Sequence, residues 1–288
     1  MISGITVNYR SSRLLRQSVQ KIMKFLDEII VVNHSPEEDL TDLQSFSPKV
    51  KIYNRKNSGY ASGCNFGARM AKGDILLFFN PDTQVFEDTI PFLFEILKKD
   101  SCAAVAPVFL NPDGTFQPST RKFPELIHLF VSRTSPIGTL FSGSKTSKKY
   151  FGLDLHLQSN PVQLTDRFPL GGFFMIPRNL FFRLSGFDQR FFLFFEDTDF
   201  FYRLLESGFK IILDPRAKII HFHGSSRKSK PFKAEFHKLK SMVLYFMKHN
   251  RNYLLIFSVS FIALVYCLIL AFRYFINIPV KEKQWAST

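Results

Sequence analysis

The run Ile75–Phe79 is wholly apolar and stops at once at Asn80, Pro81 and Asp82. An apolar run of this length, ended by a prolyl turn and a carboxylate, reads as a buried strand that delivers an acidic side chain to the edge of a sheet. The stretch upstream repeats that logic. Residues 4–9 read as a strand, and Ser11 or Ser12 caps a helix whose Leu14, Leu15, Val19, Ile22, Met23 and Leu26 form an apolar face. Residues 29–32 and 50–53 read as further strands, and 61–71 as a helix carrying Gly63 and Gly67, whose missing side chains suit close approach to a backbone or ligand. Strand, helix, strand, loop, strand, helix, strand is the rhythm of a mostly parallel α/β sheet covered on both faces. Ligands collect at the carboxyl ends of such strands, where Tyr9, Asn33 and Asp82 all fall.

Further on, the pattern predicts a helix over 88–99, a strand over 103–106, a helix over 123–133, and a loop or lid over 134–159. Strand-like runs follow at 170–176, 209–213 and 217–220, with a helix between them that starts near Glu196 and is ended by Gly208. A basic, mostly helical stretch covers 231–250.

The chain of 288 residues carries 38 basic against 24 acidic side chains, a formal charge of +14. That balance suits nucleic acid, an anionic membrane or a phosphorylated substrate, as well as a plain basic surface. Cys64, Cys102 and Cys267 show no paired spacing for zinc or a disulfide framework, which fits a reducing compartment. No secretory signal opens the sequence, because Arg10, Arg13 and Arg16 stand where its apolar core belongs. Residues 254–272 carry no charge and lie between Arg251 and Arg273, so length and apolarity predict a transmembrane or membrane-embedded helix, with a buried core helix as the alternative. Lys238, Lys240, Lys248, His249 and Arg251 precede it, which places the large amino-terminal part on the cytoplasmic face.

Four constellations bear on chemistry. Asp82 after Asn80 and Pro81 reads either as a turn or helix cap or as a carboxylate holding a divalent ion against a diphosphate. Glu196, Asp197 and Asp199 read either as an acidic first helical turn or as a general base with its neighbour. His221 and His223 end a strand-like run, and at most one is expected to serve a site; His221, next to the apolar run, is the better metal or phosphate contact, and a core or surface imidazole is the alternative. Arg121 and Lys122, and later Arg203, Arg227 and Lys228, suit diphosphate oxygens or plain solvent.

Taken in order, the motifs Val7-Asn8-Tyr9, Val31-Val32-Asn33-His34-Ser35, Asn57-Ser58-Gly59-Tyr60-Ala61-Ser62-Gly63, Asn80-Pro81-Asp82-Thr83, Asn111-Pro112-Asp113-Gly114, Pro118-Ser119-Thr120-Arg121, Ser185-Gly186-Phe187-Asp188, Phe195-Glu196-Asp197-Thr198-Asp199 and Ile220-His221 resemble the family 2 glycosyltransferases. The likeness is to their rhamnosyltransferase-like branch in bacterial surface polysaccharide (O-antigen) synthesis. It implies a GT-A fold, a Rossmann-like nucleotide-sugar domain over 1–230 with a donor half at about 1–110 and an acceptor side at about 111–230. A basic juxtamembrane region (231–250), a membrane helix (251–276) and a short tail (277–288) would complete the chain. The implied activity is an inverting transfer, in the EC 2.4 class, of rhamnose from dTDP-rhamnose to a lipid-linked saccharide. By the same resemblance Asp82 holds Mg²⁺ or Mn²⁺ with His221 nearby; Tyr9, Asn33, Asn57, Gly63, Asn80 and Arg121 take the donor; Asp197 is the base and Glu196 its neighbour. The implied partners are a dTDP- or UDP-linked donor, a polyprenyl-diphosphate-linked glycan acceptor and membrane lipid at a bacterial inner membrane, with a homodimer allowed for and nucleic acid excluded. Relatives usually read Val-Val-Asp-Asn-x-Ser where this chain has Asn33 and His34, which removes a charged acceptor from the base pocket. A non-catalytic scaffold of the same fold and a sugar nucleotidyltransferase are the competing readings; the latter wants a basic, glycine-rich first loop, whereas this chain has Asn8-Tyr9-Arg10-Ser11.

Overall fold

The computed structural model describes residues 1–99, 103–125, 150–152, 154–222, 231–250 and 252–275. The amino-terminal half runs β1 (Ile2–Asn8), α1 (Ser12–Ile22), β2 (Glu28–Asn33), α2 (Thr41–Phe46), β3 (Val50–Asn54), α3 (Tyr60–Met70), β4 (Ile75–Phe79), β5 (Thr83–Val85), α4 (Thr89–Lys99) and β6 (Ala103–Leu110). Then come β7 (Phe116–Gln117), β8 (Thr120–Lys122), β9 (Val162–Leu164), β10 (Arg167–Pro169), β11 (Phe173–Pro177), α5 (Arg178–Arg183), α6 (Glu196–Glu206), β12 (Lys210–His221), α7 (Pro231–His249) and α8 (Tyr253–Phe275).

One sheet runs in the order β3-β2-β1-β4-β11-β6-β12-β5, with β7 beside β6 and β9 beside β12, while β8 and β10 form a separate ribbon. The strands β3, β2, β1 and β4 are parallel, as the βαβ rhythm requires. The expectation of a mostly parallel sheet needs correcting beyond β4. There β11 enters antiparallel between β4 and β6, β5 and β9 pair antiparallel with β12, and the sheet is mixed. An apolar run buried on both faces looks the same in either direction, so periodicity in 170–176 could not reveal this reversal. The two short runs at 209–213 and 217–220 are one strand, β12, interrupted by a bulge between Asp214 and Lys218.

Alternation along β4 divides the core. Leu76 and Phe78 join one fully buried cluster with α3, α5 and α6, whereas Leu77 and Phe79 join the other with α1 and α4. Phe78 meets the rings of Phe174, Phe181 and Phe187 with centroids 5.0, 4.9 and 5.4 Å away. A core of this kind fixes the strand ends, and with them the site, because aromatic packing tolerates little displacement.

Most of the expected 123–133 helix and of the 134–159 lid lies at residues 126–149, outside the described residues; residues 123–125 are not helical, and 155–157 form a single 3₁₀ turn. The membrane helix expected over 251–276 is overturned. Among the described residues no helix is long and apolar enough to cross a membrane. With it fall the membrane-associated part of the expected fold and the placement on the cytoplasmic face of a bacterial inner membrane. Apolarity and length were read as signs of lipid, but α8 spends one stripe on protein: Val259 and Ala263 are buried with Leu239, Met242, Tyr245 and Phe246 of α7. Its outward stripe, Leu254, Phe257, Phe261, Leu264 and Leu268, is exposed. Of the basic residues ahead of that segment, Lys238, Lys240, Lys248 and His249 belong to α7, which packs on the loop ahead of α6, and Arg251 lies outside the described residues.

Candidate functional site

Three asparagines stand side by side where the first parallel strands end, with Asn8 opposite Asn33 and Asn33 opposite Asn54. Asn33 is buried and its amide is engaged inside the protein. Its Oδ1 accepts from Asn8 Nδ2 (3.0 Å) and Ser35 N (3.0 Å), and its Nδ2 donates to Asn54 Oδ1 (2.8 Å) and the Glu38 carbonyl (3.4 Å). Those four bonds use the two lone pairs and two protons of an amide side chain. Asn8 also donates to Glu38 Oε2 at 2.8 Å, so a carboxylate does lie at this edge, brought from the following loop. Tyr9 is half-buried just beyond β1.

Gly63 has a steric reason. A Cβ there would stand 2.8 Å from Val7 Cγ2 and 3.0 Å from His34 Cε1, so the bare backbone of α3 lets the buried His34 ring lie against it. Burial pushes the His34 imidazole below its ordinary value, and the Arg55 charge adds to this. Asn57 accepts from Gly59 N (3.0 Å) in the turn that starts α3, and Tyr60 N donates to the Phe192 carbonyl (2.8 Å).

At the end of β4, Asn80 N donates to the Gly172 carbonyl (2.8 Å) and Tyr60 Oη donates to Asn80 Oδ1 (2.9 Å). Phe222 N donates to the Asp82 carbonyl (2.8 Å), tying the end of β12 to the same turn. His221 Nε2 stands 3.5 Å from Asp82 Oδ1. Its other ring nitrogen, Nδ1, lies 2.6 Å from Gln117 Oε1, and Gln117 Nε2 donates to Asn111 Oδ1 (3.0 Å). Gln117 therefore offers an acceptor, Nδ1 is the donor, and Nε2 is turned towards the carboxylate. Among the described residues no three His, Cys, Asp or Glu side chains gather into a metal-holding group. The Asp82 and His221 pair nonetheless suits Mn²⁺ or Mg²⁺ as a partial donor set, one carboxylate oxygen and one oriented imidazole, completed by ligand oxygens and water.

Asp197 and Glu196 occupy the first turn of α6. Gly171 N donates to Asp197 Oδ2 (2.9 Å), while Thr198 N (2.7 Å) and Thr198 Oγ1 (3.2 Å) donate to Oδ1. Glu196 is buried, and its Oε2 has no hydrogen-bond partner among the described residues. Burial, then the charge of Asp197, pushes its carboxyl well above the usual range. The turn Gly171-Gly172 thus touches Asp197 with one residue and Asn80 with the next. Asp82 and His221, Asn80, and Glu196 and Asp197 are brought to one edge of the sheet. Arg121 lies on the ribbon that leads into this turn, opposite Phe168, and its Nε is buried without a hydrogen-bond partner among the described residues.

Sequence reasoning missed several members. Gln117 and Gly171 carry no motif of their own and act on residues 104 and 26 positions away. Glycine doublets before an apolar run were the available signal for the second. The backbone of Phe194 and Phe195, both left-handed at φ +65° and +66°, had no signal, because bulky aromatic residues rarely adopt that conformation.

The model of the family described as "Glycosyl transferase family 2" matches residues 3–194. The chain is 27% identical over 168 residues to an N-acetylglucosaminyl-diphospho-decaprenol L-rhamnosyltransferase of Mycobacterium tuberculosis, covering 57% of this chain and 53% of that one. It is 26% identical over 214 residues to the low-salt glycan biosynthesis hexosyltransferase Agl10 of Haloferax volcanii, covering 73% and 63%. The chain thus spans less than two thirds of the length of these curated relatives. A mannosyltransferase of Pyrobaculum calidifontis, solved with GDP-Man and Mn²⁺, shares the fold with a TM-score of 0.57 at 14% identity, over 95% of this chain and 74% of that one. With two thirds of its length under the family model and the matching fold, the chain belongs to glycosyl transferase family 2.

Proposed function

We propose that this protein is an inverting, nucleotide-sugar-dependent glycosyltransferase that moves a sugar to a hydroxyl of a glycan or lipid-linked saccharide acceptor. The observation that carries the reading is the Gly171-Gly172 turn, which holds the Asp197 carboxylate and the Asn80-Pro81-Asp82 edge on one sheet end. Asp197 takes the proton of the acceptor hydroxyl as its oxygen attacks the anomeric carbon, and the bond to the donor diphosphate breaks on the opposite side. Asp82 and His221 would hold a divalent ion, which when bound would supply charge neutralisation at a leaving diphosphate. Arg121 adds positive charge to the same oxygens. Glu196, beside Asp197, has its carboxyl raised well above the usual range, first by burial and then by the charge of Asp197. Tyr9 and Asn57 receive the nucleoside, Gly63 makes room for the His34 ring beside that pocket, and Asn33 shapes it by bracing Asn8 and Asn54. Rhamnose from a dTDP-linked donor is the finer proposal; it draws on the motif resemblance and on the name of the mycobacterial relative.

Thermal unfolding across a panel of nucleotide sugars, with Mn²⁺ and with chelator, tests the reading. One donor is expected to raise Tm only with the metal, about 2.7 kcal/mol of stabilisation at a hundredfold excess over Kd. Asp82→Asn is expected to lose the metal-dependent part. No response to any nucleotide sugar would sink the proposal.

A further inference from the structure

The helix α7 lies wholly outside the residues that match the family model, which ends at residue 194. It is nevertheless the element packed against the segment that leads into Asp197. Phe191 is buried among Leu239, Met242, Tyr245 and Phe246; the Phe192 ring stacks on His237 at 4.4 Å; Ser241 Oγ donates to the Leu193 carbonyl at 3.0 Å; and Phe195 meets Tyr245 at 5.7 Å. The same segment carries two consecutive left-handed phenylalanines, a conformation that costs on the order of 1–3 kcal/mol each and persists only where surroundings enforce it. At the far end of α7, Lys248 Nζ reaches Asp199 Oδ1 (2.6 Å) and Asp188 Oδ2 (2.8 Å), and His249 Nε2 lies 2.8 Å from Asp199 Oδ1. Asp199, fully buried, also accepts from Arg203 Nε (2.9 Å) and sits two residues past Asp197 on the same helix.

We propose that α7 is a clamp that holds the turn bearing Asp197 in its productive orientation, with Lys248 and His249 as positioning residues acting through Asp199 and Asp188. This rests on the reading of Asp197 as the base. A carboxylate displaced by about 1 Å from its acceptor loses rate on the order of 100-fold while donor binding, made at the other strand ends, stays as it was.

The test uses the full chain. Lys248→Met is expected to lower kcat on the order of 100-fold with donor KM within about twofold, and Lys248→Arg to recover most of the loss. An unchanged kcat in a folded Lys248→Met protein overturns the proposal, as does a loss that falls on donor KM instead. Should that variant fail to fold, amide hydrogen exchange of the unaltered protein decides. Residues 191–199 and α7 opening together supports the clamp, and 191–199 opening independently of α7 overturns it. Absence of transfer from any nucleotide sugar by the unaltered protein would defeat the functional reading instead, leaving the exchange result to judge the clamp.

Discussion

At Gly171 a single missing side chain decides where the Asp197 carboxylate rests. A Cβ there would stand 2.5 Å from Asp197 Cβ and 3.0 Å from its Oδ2, closer than packed atoms sit, so the α6 turn would have to shift. Gly171→Ala is therefore expected to cut transfer on the order of 10- to 100-fold while melting within a few degrees of the parent, as read by initial rates and thermal unfolding. Rates equal to the parent would show that the contact does not set the position of Asp197. The positions of the candidates Asp82, Asp197 and His221 were legible in the sequence because each ends or follows an apolar run: Asp82 past the end of β4, Asp197 after the phenylalanines, His221 as the last residue of β12. Their supports were not, since Gln117 and Gly171 reach across the fold and no local pattern encodes such contacts. Asn33 shows the opposite limit: its position at the strand end was readable, but its engagement with Asn8, Ser35 and Asn54 was not.

At the scale of elements, α6 and α7 are joined by charge as well as by rings. Burial opposes ionisation of Asp199, yet the hydrogen bond from His249 and the charges of Arg203 and Lys248 hold its carboxyl below the ordinary value. Asp188 is held lower still, first by its hydrogen bonds from Arg190, against burial, and then by Lys248. A carboxyl depressed in the folded state contributes stability above its unfolded pKa and loses it as pH falls through the folded value. Urea unfolding should accordingly show Asp199→Asn clearly less stable than the parent at neutral pH, with the gap narrowing as pH drops below about 4. A gap constant across that range would mean that Asp199 gains nothing from its cationic partners. The element map was mostly readable, because β1 to β4 and α3 announce themselves by run length, glycines and caps. Strand direction and the role of α8 were not, for an apolar stretch records that it is buried but not which way it runs or what covers it.

For the molecule as a whole, the mixed sheet separates two cores and gathers its reactive groups at one edge, so the site is a property of topology rather than of any one motif. Four parallel strands bring Asn8, Asn33, Asn54 and Asn80 to that edge, and the antiparallel β11 brings Gly171 and Gly172 beside them. Gly171 N then meets the Asp197 carboxylate of α6, and the Gly172 carbonyl meets Asn80, two residues before Asp82. The measurement that tests this account most directly is transfer from the stabilising nucleotide sugar to a saccharide acceptor, comparing the parent with Asp197→Asn and assigning the product anomer by NMR. An inverted linkage is expected from the parent, and a rate about 10²- to 10⁴-fold lower from Asp197→Asn, with donor protection intact. Near-parent turnover by Asp197→Asn, or a retained anomeric configuration, would contradict it.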